Sequence, residues 1–452
     1  MSETLRGRFV CGTFMHAPEA GAVEALVDAL IEIGADGRIG AIHPAGHPGR
    51  AAAEAAAEAS GRLIRFAPTD YIIPGFVDLH VHAPQYPQLG LALDEPLEVW
   101  LGKYTFPLEA RYADLDFARE SYEALVADLL RNGTTTALYF ATVHEAATQL
   151  LVDICLDRGQ RALVGKVAMD NPDSCPDYYR DASAAAGVAG TRAVIDYVRA
   201  HPDNGEGRVL PVVTPRFIPS CTDELLEGLG QLASECGCHV QTHCSESDWA
   251  HGYVLDRHGM SDTESLDRFG LVGRHSVLAH ATRLTGSDTE LVISREAAVA
   301  HCPLSNAYFG DAVFPLRAAL EKGMHVGLGT DISGGPTSSV LESARMAMAA
   351  SRLLESGTDP DLPRAARGRP NSRIDYRTAF YLATAGGGVA LDLPIGQFAP
   401  GYHFDALRID TAAPEGTIRS FGETDPERML QKLIHTASRA NIADVWVGGT
   451  QV

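Results

Sequence analysis

The rhythm of apolar and polar positions changes near residue 70. Before it, apolar residues come in short runs, at 26–33 and 63–66, separated by turn glycines and by a low-complexity Ala/Glu stretch at 51–59. This pattern predicts a small β-rich region, with 51–59 as a helical excursion on its surface. From Tyr71 onward a longer unit repeats. An apolar, β-branched run ends in polar or reactive residues, and an amphipathic stretch follows. Eight such runs occur, at 72–82, 134–142, 162–170, 209–217, 239–246, 276–282, 297–306 and 325–331. Between them, 116–131 carries apolar residues at helical spacing and stops at Gly133, 222–235 opens on a Thr-Asp-Glu cap, and 338–354 is a further helix candidate.

Strands alternating with helices predict a parallel sheet, and eight units over this length predict a closed TIM-type (β/α)8 barrel rather than an open doubly wound sheet. After residue 396 the alternation lapses. Short strands are expected at 404–410 and 444–448, returning to the N-terminal region. The expected plan is therefore a small β-sandwich-like domain built from both chain ends, residues 1–70 and 396–452, flanking a barrel of residues 71–395. The small-residue stretch 187–190 reads as surface filler.

Composition narrows the function classes. The 452 residues are 45% hydrophobic and 21% charged, with a formal net charge of −21. That surface repels phosphate backbones, which argues against a nucleic-acid partner but suits a small neutral substrate. No run approaches the roughly 18 apolar residues of a membrane span. Met1-Ser-Glu-Thr-Leu-Arg6 shows no basic stretch leading into an apolar one, so no leader is expected. The eight cysteines are scattered, the closest pair being Cys236 and Cys238, which fits reduced thiols in a cytoplasmic protein.

Barrel enzymes work at the carboxyl ends of their strands. Here run one ends in His80-Val-His82, run five in His243-Cys-Ser-Glu246, run six carries His280 and run eight ends in Thr330-Asp331. Residues i and i+2 of a strand share a side, so His80 and His82 can hold one metal ion. His243 adds a third imidazole and Asp331 a carboxylate oxygen. Three nitrogens, one oxygen and a water suit catalytic zinc, and iron as well. His16, His43, His47, His201, His251, His258, His403 and His435 lie off the strand ends, and His301 receives no role. His144-Glu145 lacks the second histidine of a zincin, and no cytidine-deaminase signature is present. Run four ends Thr214-Pro-Arg-Phe217, without the lysine that bridges two-metal sites in amide hydrolases. Taken alone, Arg216 reads as an ordinary ion-pair partner and Phe217 as a core aromatic.

At these residues the chain resembles the amidohydrolase superfamily and, within it, the guanine deaminase family. The resemblance rests on Pro74-Gly-Phe-Val-Asp-Leu-His-Val-His-Ala-Pro-Gln-Tyr86, Trp100-Leu-Gly-Lys-Tyr-Thr-Phe-Pro-Leu-Glu109, Thr214-Pro-Arg-Phe217, His301-Cys-Pro-Leu-Ser-Asn306 and Gly327-Leu-Gly-Thr-Asp-Ile-Ser-Gly-Gly335. It implies one Zn2+ per chain held by His80, His82, His243 and Asp331. It implies Glu246 as proton shuttle, His280 beside the water, and Gln85, Arg216 and Phe217 around guanine, with a homodimer as the assembly. Water activated by zinc, whose pKa can fall to about 7, would then release ammonia from guanine and leave xanthine. Two stretches depart from the family pattern, Ala281-Thr-Arg-Leu-Thr-Gly-Ser287 after His280 and Gly401-Tyr-His-Phe-Asp405.

Overall fold

The computed structural model describes residues 4–452; Met1, Ser2 and Glu3, which open the expected small domain, lie outside the described residues. Eight parallel strands form the centre: Phe76–His82, Thr134–Phe140, Arg161–Gly165, Val209–Pro215, His239–Cys244, Ser276–His280, Ala298–His301 and His325–Leu328, each beside the next. Each expected run overlaps one of them, the third strand starting one residue before its run. The ring is drawn together at its mouth, where Asp331 N–H donates to the His80 carbonyl at 2.8 Å and His82 N–H to the Ile332 carbonyl at 3.0 Å. The first three strands are buried along their whole length, which is why they read as continuous apolar runs rather than as alternation. Val77, Leu79, Leu138, Leu163, Val212 and Val277 pack inside, and Ala390 and Leu391 join them from the helix Ala385–Leu391.

The helices follow their capping chemistry. Leu115–Arg131 starts where the Asp114 carboxylate accepts from the N–H groups of Asp116 and Phe117, satisfying donors the first turn leaves free. Asp223–Cys236 starts where the Thr222 hydroxyl accepts from Leu225 N–H, and it ends at Gly237 with φ 58°, a left-handed cap that glycine adopts without strain. The third expected helix is Val340–Ser356. The stretch 187–190 is not surface filler. It lies in the helix Ala184–Ala200, where a Cβ on Gly187 would come within 2.9 Å of Leu225 Cδ1 and one on Gly190 within 2.9 Å of Lys166 Cε. Glycine is there to let the helix approach its neighbours, a requirement that composition does not reveal.

The small domain is one mixed sheet of strands from both chain ends. Its order is Thr450–Gln451, Ile442–Val447, Ala406–Asp410, Asp70–Pro74, Phe9–His16, Glu24–Ile33 and Ile39–His43, with Leu63–Arg65 also paired to Phe9–His16. The sheet curls on itself. Ile39 and Trp446, from strands far apart in that order, bury in one cluster with Phe14, Ile72 and Phe404, and Phe404 N–H donates to the Gly37 carbonyl at 2.9 Å. One curled sheet thus supplies both walls of the core. The helix Arg50–Ala59 packs through Ala57 on a separate cluster of Phe9, Cys11 and Leu30, as the surface excursion expected there.

The boundary between the two bodies differs from the expected one. The run 72–82 is divided at Gly75. Asp70–Pro74 pairs with Ala406–Asp410 and Phe9–His16 in the small sheet, and only Phe76–His82 enters the barrel. Residues 71–74 therefore stand outside the barrel. Both halves are apolar and fully buried, so periodicity gives no sign of the break. Gly75 is needed at the crossing, since a Cβ there would lie 2.1 Å from Thr135 Oγ1. The departure at 401–405 belongs to this junction. Asp405 accepts from Arg161 Nε at 2.9 Å and from Gly448 N–H at 2.6 Å, tying the small sheet to the third barrel strand.

Candidate active site

The carboxyl ends of four strands bring His80, His82, His243, Glu246, His280 and Asp331 together, all buried. His80 Nε2 lies 3.2 Å from Asp331 Oδ1, His82 Nε2 lies 2.9 Å from His243 Nε2, and His280 Nε2 lies 3.7 Å from Glu246 Oε1 and 3.9 Å from Asp331 Oδ2. Three overlapping sets have donor atoms within metal-holding reach of one another: His80, His82 and His243; His80, His280 and Asp331; His243, Glu246 and His280. The backbone is strained here. Ser245, His280, Ala281 and Asp331 take left-handed φ values of 48°, 69°, 52° and 50°, as residues at functional sites often do.

This donor set fits a divalent metal ion. His280 Nε2 is buried without a hydrogen-bond partner and His80 Nε2 faces only the Asp331 carboxylate, at 3.2 Å, a costly arrangement unless something else meets them. Burial, reinforced by the neighbouring imidazoles, holds His82 and His243 well below the ordinary histidine range, and burial also lowers His80. All three are then neutral and free to ligate. Their orientation is set from behind. His243 Nδ1 sits 2.6 Å from the Arg216 carbonyl, which fixes the proton on Nδ1 and turns Nε2 inward. His280 Nδ1 is 3.0 Å from Asn306 Oδ1, to the same effect. Asp78, two residues before His80, accepts from Thr330 N–H at 2.9 Å and Thr330 Oγ1 at 2.5 Å, anchoring the turn that presents Asp331. Burial pushes the Asp78 carboxyl up to about 7. Lys166 points elsewhere, into a buried pair with Asp181 at 2.7 Å. His301 is buried, pushed down to about 3 by burial, and belongs to none of the three sets.

Glu246 is held otherwise. Burial raises its carboxyl above the usual glutamate range, the condition for carrying a proton near neutrality. Its backbone carbonyl accepts from Thr282 Oγ1 at 2.7 Å, and so does that of Ser245 at 2.9 Å. The departing stretch after His280 thus braces the Glu246 turn.

A pocket of about 380 Å³, counted out into open solvent, lies over this cluster. His82, His243, Glu246 and Asp331 line its floor. Gln85, Arg216 and Phe217 line it too, with Leu97, Trp100 and Leu101 from the segment that follows the first strand and Phe309 from the turn after the seventh. The Trp100 and Phe309 rings meet at 5.0 Å. Arg216 is less free than its sequence suggests. Its two terminal nitrogens donate to the two oxygens of Glu109 at 2.7 and 3.1 Å, both side chains being buried. Gln85 Nε2 also donates to Glu109, at 2.8 Å, and Gln85 Oε1 accepts from Ser333 N–H at 3.1 Å. Glu109 closes the Trp100–Glu109 segment that resembles the family, and its place in the sequence gives it no evident partner. Only the fold brings it against Arg216, 107 positions away.

The family model for the amidohydrolase family matches residues 71–452. The chain belongs to the amidohydrolase family. Among its relatives, a probable guanine deaminase of Schizosaccharomyces pombe is 37% identical over 98% of this chain and 82% of its own length. The guanine deaminase of Homo sapiens is 34% identical over 98% and 95%. The crystal structure of guanine deaminase from C. acetobutylicum, with guanine bound in its active site, superposes with a TM-score of 0.86 at 31% identity and covers 98% of this amidohydrolase and 99% of that chain. Among the described residues no helix is long and apolar enough to cross a membrane.

Proposed function

We propose that this amidohydrolase deaminates guanine by hydrolysis, giving xanthine and ammonia, with one zinc ion per chain. The observation that carries the reading is the joint placement of a polar pocket edge, Gln85 and Arg216, with Glu246 and the metal donor cluster in one pocket. The likeness to guanine deaminases along nearly the whole chain supports it.

His80, His82, His243 and Asp331 would hold the ion, which when bound would make water a nucleophile near neutral pH. Phe217 takes a face of the flat base. Arg216 has five N–H donors, and those that Glu109 leaves over turn to the carbonyl edge. This places the amino-bearing carbon over the water. Asp331 accepts the proton the water loses, and His280 orients the attack. Glu246 protonates the adjacent ring nitrogen, drawing electron density from the carbon being attacked. The proton held by Asp331 then passes to the amino group, and the tetrahedral carbon collapses to the carbonyl as ammonia leaves, the hydroxyl proton returning to Glu246. Homodimeric assembly and a cytoplasmic location go with this reading. The eight cysteines are unpaired, in keeping with a reducing compartment.

The test is guanine consumption followed in the ultraviolet, with ammonia measured in parallel and adenine as the competitor. Guanine should be converted with one ammonia released per base, and adenine, which carries an amino group where guanine has the carbonyl, should be strongly disfavoured. A zinc-loaded protein that leaves guanine untouched overturns the reading.

A further inference from the structure

The buried carboxylate behind the pocket edge has no place in the chemistry above. Glu109 is fully buried and accepts four hydrogen bonds: two from Arg216, one from Gln85 Nε2 and one from Tyr179 Oη at 2.6 Å. Tyr179 is in turn 3.1 Å from Thr142 Oγ1. Two of the three side chains proposed to surround the base are thus tied to one anion. A buried guanidinium without a counter-charge would make the pocket a receptor for anions, since arginine is the side chain best matched to carboxylates and oxyanions.

We propose that Glu109 is a positioning and specificity-determining residue: it fixes Arg216 and Gln85 and cancels the Arg216 charge, so that the pocket takes a neutral base edge and rejects anionic purines. The inference rests on the guanine reading above. The carboxylate occupies the end of the guanidinium that would otherwise fork onto an anion, and the remaining N–H groups meet a carbonyl. The local segment is built to deliver it. Glu109 lies in the short helix Phe106–Ala110, which follows a π-helical turn at Leu101–Thr105, and the Phe106 ring lies 5.1 Å from the Arg216 guanidinium.

The experiment measures kcat and KM for guanine and the competitive inhibition constant of urate, an anionic oxidised purine, in the zinc-loaded wild type, E109Q and E109D. In E109Q the guanine KM should rise by about 10-fold or more, as expected for truncating a buried hydrogen-bonded charge pair, while urate should bind more tightly than to the wild type. In E109D, which keeps the charge but shortens the reach, guanine KM should rise and the preference against urate should persist. A merely structural role would weaken guanine and urate together, and that outcome overturns the proposal. So does an E109D protein with wild-type guanine KM, a result that remains readable if E109Q fails to fold. Wild type that turns over guanine while E109Q matches it in both constants sinks this inference alone. Wild type without guanine turnover sinks it together with the function.

Discussion

At the scale of single residues, the proposed roles divide the site into groups that would ligate a metal and groups that would move protons or bind the base. Glu246 stands 3.7 Å from His280, and burial raises its carboxyl, whereas the imidazoles of His80, His82 and His243 are kept neutral. Glu246→Gln should therefore keep the fold and the metal and lose turnover by ~100- to 10,000-fold, the range that positioned proton transfer supplies. Steady-state rates beside elemental analysis check this, and near wild-type turnover would show that another group carries the proton. Arg216→Met should act differently. It removes the polar edge and strands Glu109, so the specificity constant for guanine should fall by about 100-fold or more while zinc content is retained. If guanine turnover survives, Arg216 serves the buried pair with Glu109 and nothing else. Arg216 also shows why single residues mislead when read along the chain. An ion pair and a substrate contact looked like rival roles, and the geometry allows both, because a guanidinium has more donors than one carboxylate can take.

At the scale of elements, the site depends on how strands end and how the two bodies meet. The candidate site residues sit at or just after the ends of strands one, four, five, six and eight, while the junction with the small sheet is held by Arg161, which opens the third barrel strand, and Asp405, just before Ala406–Asp410. Burial alone would raise the Asp405 carboxyl, but the charge and hydrogen bonds of Arg161, with His403 and Gly448 N–H, outweigh it and hold it below the usual aspartate range. Asp405→Asn leaves a buried guanidinium without its counter-charge, which typically costs roughly 3–5 kcal/mol. The expected outcome is a clear loss of melting temperature with little change in kcat. The sign with pH follows from the lowered carboxyl. Its contribution is fully present above the ordinary aspartate pKa of about 3.9 and is lost as pH falls through the folded value, so the gap between wild type and variant should narrow in acid. A gap that widens in acid would contradict this account of the junction.

At the scale of the whole molecule, a metal ion would tie together the first, fifth and eighth strands, which lie far apart in sequence. Elemental analysis should find about one zinc per chain. Chelation should abolish activity and lower the melting temperature, because an ion bound only to the folded state stabilises it, by about 2.7 kcal/mol at a free concentration 100 times its Kd. Two metals per chain, or full activity after complete removal, would rule out a single-ion site.

The architecture was legible along the chain because its determinants are local. Run length and β-branched content marked eight strands, cap residues such as Asp114 and Thr222 marked helix starts, and reactive residues at strand ends marked the face that does chemistry. His80 and His82 were readable as a pair because i and i+2 share a side whatever the rest of the fold does. What lay beyond reach depends on contacts between distant segments. The break at Gly75, with strands of the same apolar character on both sides, is set by which sheet each half pairs with. The curl of the small sheet is set by closure around Phe14, Ile72 and Trp446. The closeness of Gly187 to Leu225 depends on helix packing. Glu109 gains its partners only when a helical segment after the first strand folds across the end of the fourth. Periodicity and spacing report a residue's own backbone, whereas counter-charges and close approaches belong to pairs that the chain leaves far apart and packing alone brings together.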